Sequence, residues 1–117
     1  MSVDASEFFS LSRDLSAASR ELVPVARQII QKGVQDIKRD AQLGSPVDTG
    51  FLRSSITYET RVLSTSVVGE VGPTAEYGAF VEYGTSRSGP QPYMGPAFAR
   101  NAPYIEAALD QAIARML

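Results

Sequence analysis

The stretch Ser45-Pro46-Val47-Asp48-Thr49-Gly50-Phe51-Leu52-Arg53-Ser54-Ser55-Ile56 separates a helical pattern upstream from an extended pattern downstream. Pro46 has no backbone N–H to donate and pushes Ser45 out of the helical region, so a helix arriving from upstream ends near Gly44, placed as a C-cap. Asp48 can accept bonds from backbone amides two or three residues on, which organises a turn at Thr49-Gly50. Helix stop, turn and strand start all fall inside this one stretch, and the chain is expected to fold on it.

Upstream, Ala26, Ile30, Val34, Ile37 and Ala41 form one face of a helix predicted from Val25 to Leu43, while Arg27, Gln31, Lys32, Gln35 and Lys38 fall mostly elsewhere. Such a face suits a helix lying on a sheet. Lys32 and Asp36 can pair one turn apart, a surface contact worth about 0.3–0.5 kcal/mol. Nearer the start, Phe8, Leu11, Leu15 and Ala18 recur at spacings of three and four, which predicts an amphipathic helix within 4–19. The intervening serines are poor helix formers and keep that segment (1–19) a short helix or arm. A break follows between Ser19 and Pro24. Ser19 can cap a new helix, Glu21 suits its positive end, and Pro24 belongs in its first turn or marks a kink.

Downstream, Ile56, Tyr58, Thr60 and Val62 alternate with Thr57, Glu59 and Arg61, the signature of a strand with one wet face. Ser64-Thr65-Ser66 reads as a turn, and Val67, Val68 and Val71 as a return strand bulged at Gly69 and ended by Gly72-Pro73. Residues 75–83 fit both periods: Tyr77, Phe80 and Val81 as a helix, or Tyr77, Ala79, Val81 and Tyr83 as a strand. Residues 84–92 are a loop by composition, with Arg87 its one charge and Pro90 and Pro92 stiffening its far end, which suits a projecting contact loop. Pro96 can open a helical turn, and Asn101 can cap a second segment with Pro103 in its first turn. Phe98, Ala102, Ile105, Leu109, Ala112 and Met116 carry one stripe across that break, so a kinked C-terminal helix is expected beside the 25–43 helix.

Composition removes several kinds of chemistry. The 117 residues suit one domain with a modest core. They include no cysteine, hence no disulfide framework and no thiolate metal site, and no histidine, hence no Ser-His-Asp or Cys-His mechanism. The net charge of −2 is spread along the chain, unlike a dedicated nucleic-acid binder. No apolar run has membrane-spanning length, and the acidic, polar start lacks the plan of a signal peptide, so a soluble, cytoplasmically assembled protein is expected. The glycines of 84–92 do not form a phosphate cradle, because Pro90 stands where the lysine would be. No cofactor, metal ligand set or catalytic residue is expected.

Two resemblances attach to the junction. Asp48-Thr49-Gly50 is similar to the active-site triplet of aspartic proteases, whose short retroviral members pair two such aspartates in a homodimer; Val67-Val68-Gly69 imitates their second element. That fold is nearly all strand, whereas this triplet follows a long helical pattern, with Pro46 in place of an apolar strand residue. The second resemblance uses more of the chain. Pro46 to Ile56, then Tyr77-Gly78-Ala79-Phe80-Val81-Glu82-Tyr83-Gly84-Thr85, then Gln91-Pro92-Tyr93-Met94-Gly95-Pro96-Ala97 resemble, in order and at the expected spacing, the signatures of the tail-completion proteins of long-tailed bacteriophages, also called head–tail joining or neck proteins. Phe51 and Gly95 depart from the basic residue common in that family, and Gly78 from its alanine.

That second resemblance, with the pattern above, implies a single α+β domain over 1–117: a small, mainly antiparallel sheet packed against the long helix and the C-terminal helix, with 75–83 a short helix. It implies a structural virion protein at the head–tail interface, in a homo-oligomeric ring, commonly of six subunits. The ring joins the connector of the DNA-filled head to the tail and contacts other neck proteins: head-completion or connector proteins on one side, tail-terminator or tail-tube proteins on the other. DNA passes through the lumen without specific binding, and no membrane is involved. The expected interaction and structural residues are Asp48, Thr49, Gly50 and Arg53 at the junction. Tyr77, Glu82, Tyr83, Gly84 and Thr85 shape the approach to the loop, Arg87 lies within it, and Pro92, Tyr93 and Pro96 lie beyond it.

Overall fold

The alternation over 56–62 becomes strand β2 (Ile56–Leu63), which turns into β3 (Ser66–Pro73) in a computed structural model that describes residues 9–45, 50–74, 78–84 and 89–116. Leu63 pairs with Ser66, so the connection is the two-residue turn Ser64-Thr65. Ser64 takes a φ of 57°, the positive sign that two-residue hairpin turns require. The register runs unbroken past Gly69, which stands opposite Thr60 on one side and Leu11 on the other. The expected bulge is absent. Gly69 serves packing instead: a Cβ there would lie 2.5 Å from Ile30 Cγ2 and 2.8 Å from Val34 Cγ1.

Those two side chains belong to α1 (Leu22–Gly44), the predicted long helix extended by three residues at its start. Pro24 sits in the first turn, where a missing N–H costs nothing. Ser19 Oγ accepts from Glu21 N at 3.2 Å just before the helix begins, and Glu21 makes no side-chain cap. All five residues of the predicted apolar face are buried, together with Leu22 and Gly33. At the far end the left-handed glycine cap expected at Gly44 is not used. Gly44 is the last helical residue, and Ser45 turns extended with ψ 152°, as a residue before proline must. Its hydroxyl donates to Gln42 O at 2.9 Å, which satisfies one of the last carbonyls.

Residues 9–14 correct the expected N-terminal helix. They form β1 (Phe9–Asp14), antiparallel to β3 in a sheet of order β1-β3-β2. Leu11 and Leu15 are buried as expected, but a strand and a turn deliver them, the latter closed by Ala18 N donating to Leu15 O at 2.9 Å. The free edge of β3 offers the serine-rich backbone a complete ladder, which outweighs a weak helical spacing. Residues 1–8 lie outside the described residues.

A further departure is a short helix, α2 (Gly50–Ser55), between the junction and β2, where extended chain was expected. Leu52 is buried and fixes it to the core. Thr74 donates from both N and Oγ1 to Ser55 O at 3.0 Å, which ties its end to the exit of β3. The ambiguous segment resolves as α3 (Gly78–Tyr83), a short helix.

The C-terminal helix, α4 (Met94–Met116), runs through Pro103 without the expected interruption. Asn101 is not its cap; Nδ2 donates to Ala97 O at 2.8 Å and to Asp40 Oδ2 of α1 at 2.9 Å. The helix lies beside α1, where Gly33 lets Ile105 approach so closely that a Cβ would meet Ile105 Cδ1 at 2.3 Å. Phe98 meets Phe9 of β1 with ring centroids 5.4 Å apart. The result is α+β: a three-stranded antiparallel sheet with α1 and α4 on one side, the described residues being 59% helix and 23% strand. That balance departs from the nearly all-strand fold of the retroviral proteases. Among the described residues no helix is long and apolar enough to cross a membrane.

The Gly69 contact is open to direct measurement. Ile30 and Val34 are β-branched and held near one rotamer on a helix, so neither can swing away from a new methyl. Gly69→Ala should lower stability by about 1–3 kcal/mol, as overpacking does, read from urea unfolding. An unchanged or raised midpoint would show that α1 rides further off the sheet than the contact implies.

Candidate functional site

Of the expected site residues, Glu82, Tyr83, Gly84, Pro92, Tyr93 and Pro96 lie around the start of α4. Glu82, on α3, is 7% exposed. Its Oε1 accepts from Tyr93 N at 2.9 Å and Met94 N at 2.7 Å, and its Oε2 from Gly95 N at 3.0 Å. These amides open α4 and have no partner within the helix, so one carboxylate from a preceding helix supplies acceptors to all three. Glu82 is thus a buried cap, and it holds α3 against α4.

Two further bonds brace the same unit. Tyr93, 2% exposed, donates its hydroxyl to Gly78 O at 3.2 Å, and Gln91 N donates to Val81 O at 2.8 Å. Gly84 ends α3 with φ 83°, a left-handed conformation that glycine adopts without penalty. The chain on either side of residues 85–88 is therefore tied together, by Glu82 and Val81 on one side and by Gln91 and Tyr93 on the other. Two departures from the family signature acquire a physical meaning here. A Cβ on Gly78 would meet Pro73 Cγ at 2.5 Å and the Tyr93 hydroxyl at 2.9 Å, and one on Gly95 would lie 3.0 Å from Glu82 Oε2. Tyr83 is largely exposed; partial desolvation, then the neighbouring Glu82 charge, push its phenol above the usual tyrosine range.

The junction meets this unit from the other side. Arg53 Nε donates to Ser45 Oγ at 3.3 Å, while Arg53 O accepts from Gln42 Nε2 at 3.2 Å, so α2 is tied to the end of α1. A shallow groove between the end of α1 and the start of α4 is lined by Asp40, Leu43, Gly44, Pro92, Pro96 and Arg100, among others. Leu43 is 77% exposed at the groove edge, and Phe51 nearby in sequence is also exposed. Residues of the third signature block thus line one groove with the end of α1, and the second block is held to its rim through Glu82. Asp48, Thr49, Tyr77, Thr85 and Arg87 lie outside the described residues, and Gly50 enters only as the first residue of α2.

Sequence reasoning missed the Asp40–Asn101 link. Asp40 also lies near two guanidiniums, Arg100 at 3.5 Å and Arg39 at 3.6 Å. An asparagine inside a helix carries no signal of its partner, and only the α1–α4 crossing brings the two side chains together. Among the described residues no group of three or more metal-ligating side chains could hold a metal ion. The arrangement supplies shape, hydrogen bonds and exposed apolar edges.

Two measurements address these contacts. Glu82→Ala should cost about 1–3 kcal/mol, because buried amides lose their acceptors, and Glu82→Gln, which keeps one, should cost less. Hydrogen exchange at amides 93–95 should speed up in the same order; an alanine variant with unchanged exchange would remove the capping role. Asp40 is held below the usual carboxylate range, chiefly by the Asn101 hydrogen bond, with Arg39 and Arg100 adding to it. A lowered folded pKa adds stability above the unfolded value, near 4, and that addition is lost as pH falls through the folded value. Asp40→Asn should therefore destabilise at neutral pH and narrow its gap from wild type as the medium is acidified below about pH 4, whereas a constant gap would contradict the assignment.

A family model described as "Bacteriophage HK97-gp10, putative tail-component" matches residues 9–84, from β1 through α3 to Gly84. No curated protein and no solved structure matches the chain. The matched span includes the junction and the Tyr77–Gly84 block, and covers more than half of the sequence; the chain belongs to the HK97-gp10-like family of bacteriophage tail components.

Proposed function

We propose that the chain is a neck protein that joins the DNA-filled head to the tail, working as one subunit of a homo-oligomeric ring at the head–tail interface. The single observation that supports this beyond family membership is the convergence at the start of α4. A buried carboxylate and a buried tyrosine brace the ends of a loop beside a groove with exposed apolar edges, which is how a contact surface is built and not how a substrate is turned over. A ring supplies many copies of one heterologous contact, so a modest surface on each subunit suffices. Its neighbours would be a head-completion or connector protein on one side and a tail-terminator or tail-tube protein on the other. DNA would pass through the lumen without sequence-specific contact. In this reading Asp48, Thr49 and Gly50 shape the junction, and Tyr77, Thr85 and Arg87 serve the loop and its partner.

Electron microscopy of assembled particles tests the proposal, with the wild type beside Arg87→Glu. The expected result is a closed ring of equivalent copies at the neck of the wild type. Arg87→Glu should leave the subunit folded while heads and tails accumulate unjoined, because an interfacial charge pair stripped of one member loses roughly 2–5 kcal/mol at each contact. A single copy, a two-fold dimer, or a position elsewhere on the tail would overturn the placement. Acid peptidase activity lost in Asp48→Asn would instead support the protease resemblance.

A further inference from the structure

The two broad faces of the domain carry opposite charge. On α1, the cations Arg27, Lys32, Lys38 and Arg39 fall within an arc of roughly 140° at 3.6 residues per turn, separated by glutamines; Arg27, Lys32 and Arg39 are exposed, while Lys38 is half-buried with its Nζ 5.6 Å from the centroid of the Tyr58 ring. Asp36 and Asp40 lie outside that arc, on the flank toward α4, where Asp36 lines a cleft with Tyr104 and Ile105 and Asp40 meets Asn101. On the far side of the sheet the register sets Glu59 directly opposite Glu70, and Asp14 opposite Ser66, among Ser10, Ser12 and Thr57. Like charges directly opposite on neighbouring strands are destabilising. Arg61 engages Glu70, but Glu59 has no hydrogen-bond or ion-pair partner among the described residues, and neither has Arg27.

We propose that the outward face of α1 docks on the open face of the sheet of a second copy of this chain. This rests on the ring reading above and names its interface. The contact is heterologous, since one copy presents the helix and the next the sheet, so it repeats from subunit to subunit. The dimensions agree: 23 residues make α1 about 34 Å long, and the eight-residue strands span about 26 Å. Ser10, Ser12 and Thr57 give this face small side chains beside Val68, Leu63 and the Arg61–Glu70 pair, and Glu59 gains the cation it lacks. A nucleic-acid backbone is the weaker occupant. Lys32 and Arg39 already share Asp36 and Asp40, leaving few free cations to exchange for phosphate counterions, and the chain as a whole is acidic.

The chain contains no cysteine, so a disulfide can be introduced without competition. Gln31→Cys and Ser12→Cys place thiols on opposite sides of the domain, with α1 and the sheet between them, too far apart to join within one chain. Combined in one chain and oxidised, both as concentrated protein and in assembled particles, they should give a ladder of covalent oligomers. Either substitution alone should give dimers at most. Arg27→Glu or Glu59→Lys should each weaken the ladder several-fold, added salt should do the same, and the two reversals together should restore it. Absence of a ladder from both preparations overturns the proposal, as does a ladder indifferent to charge reversal. So does loss of duplex-DNA retention by Arg27→Glu with the ladder unchanged, which would assign the helix face to DNA. If particles show a ring whose subunits cross-link only through other surfaces, the proposed function stands and this interface falls.

Discussion

The structure depends on how closely α1 can approach both of its neighbours. Its apolar stripe is shared between the sheet, met through Ile30 and Val34 at Gly69, and α4, met through Gly33 at Ile105. At both contacts a hydrogen stands where any side chain would force the layers apart. Large side chains such as Ile30, Val34 and Ile37, each fully buried, add roughly 1.5–3 kcal/mol apiece in transfer free energy. The two glycines let that burial happen without strain. Everything else hangs from this seating, because it fixes where the end of α1 meets the start of α4.

At that end the fold solves a backbone problem and creates a surface in the same step. α4 begins inside the protein, so its first amides need acceptors that water cannot supply. Glu82 reaches them from α3, and in doing so holds the two ends of the 84–92 segment together. The groove bounded by Leu43, Pro92 and Pro96 is a by-product of this closure. A family of tail components has reason to keep such a unit, since contact between virion proteins needs a surface held in shape more than it needs a reactive group.

Placing both long helices on one side of a three-stranded sheet has a further cost. The other side remains polar and uncovered, and β1 and β2 are both edge strands. In a lone subunit the opposed Glu59 and Glu70 are a local liability. In the proposed ring the same face would complement the cations of α1, which would connect the layering of the fold to assembly.

The sequence by itself determined the elements whose information is local. The apolar face of α1, the β2–β3 hairpin and the stripe of α4 each repeat one period over many residues, and Pro46 and Gly72-Pro73 mark where two of them end. The resemblance singled out Glu82 as a structural residue but not the amides it binds, which only the start of α4 brings to it. The tertiary structure decided the rest. Phe9 to Asp14 became a strand because β3 had a free edge, although the spacing of Leu11, Leu15 and Ala18 favours a helix. Gly69 became a packing contact instead of a bulge because α1 lies across it, and Asn101 a cross-link instead of a cap because Asp40 faces it. In each case the deciding partner lies tens of residues away, and only the folded chain brings it within bonding or van der Waals distance.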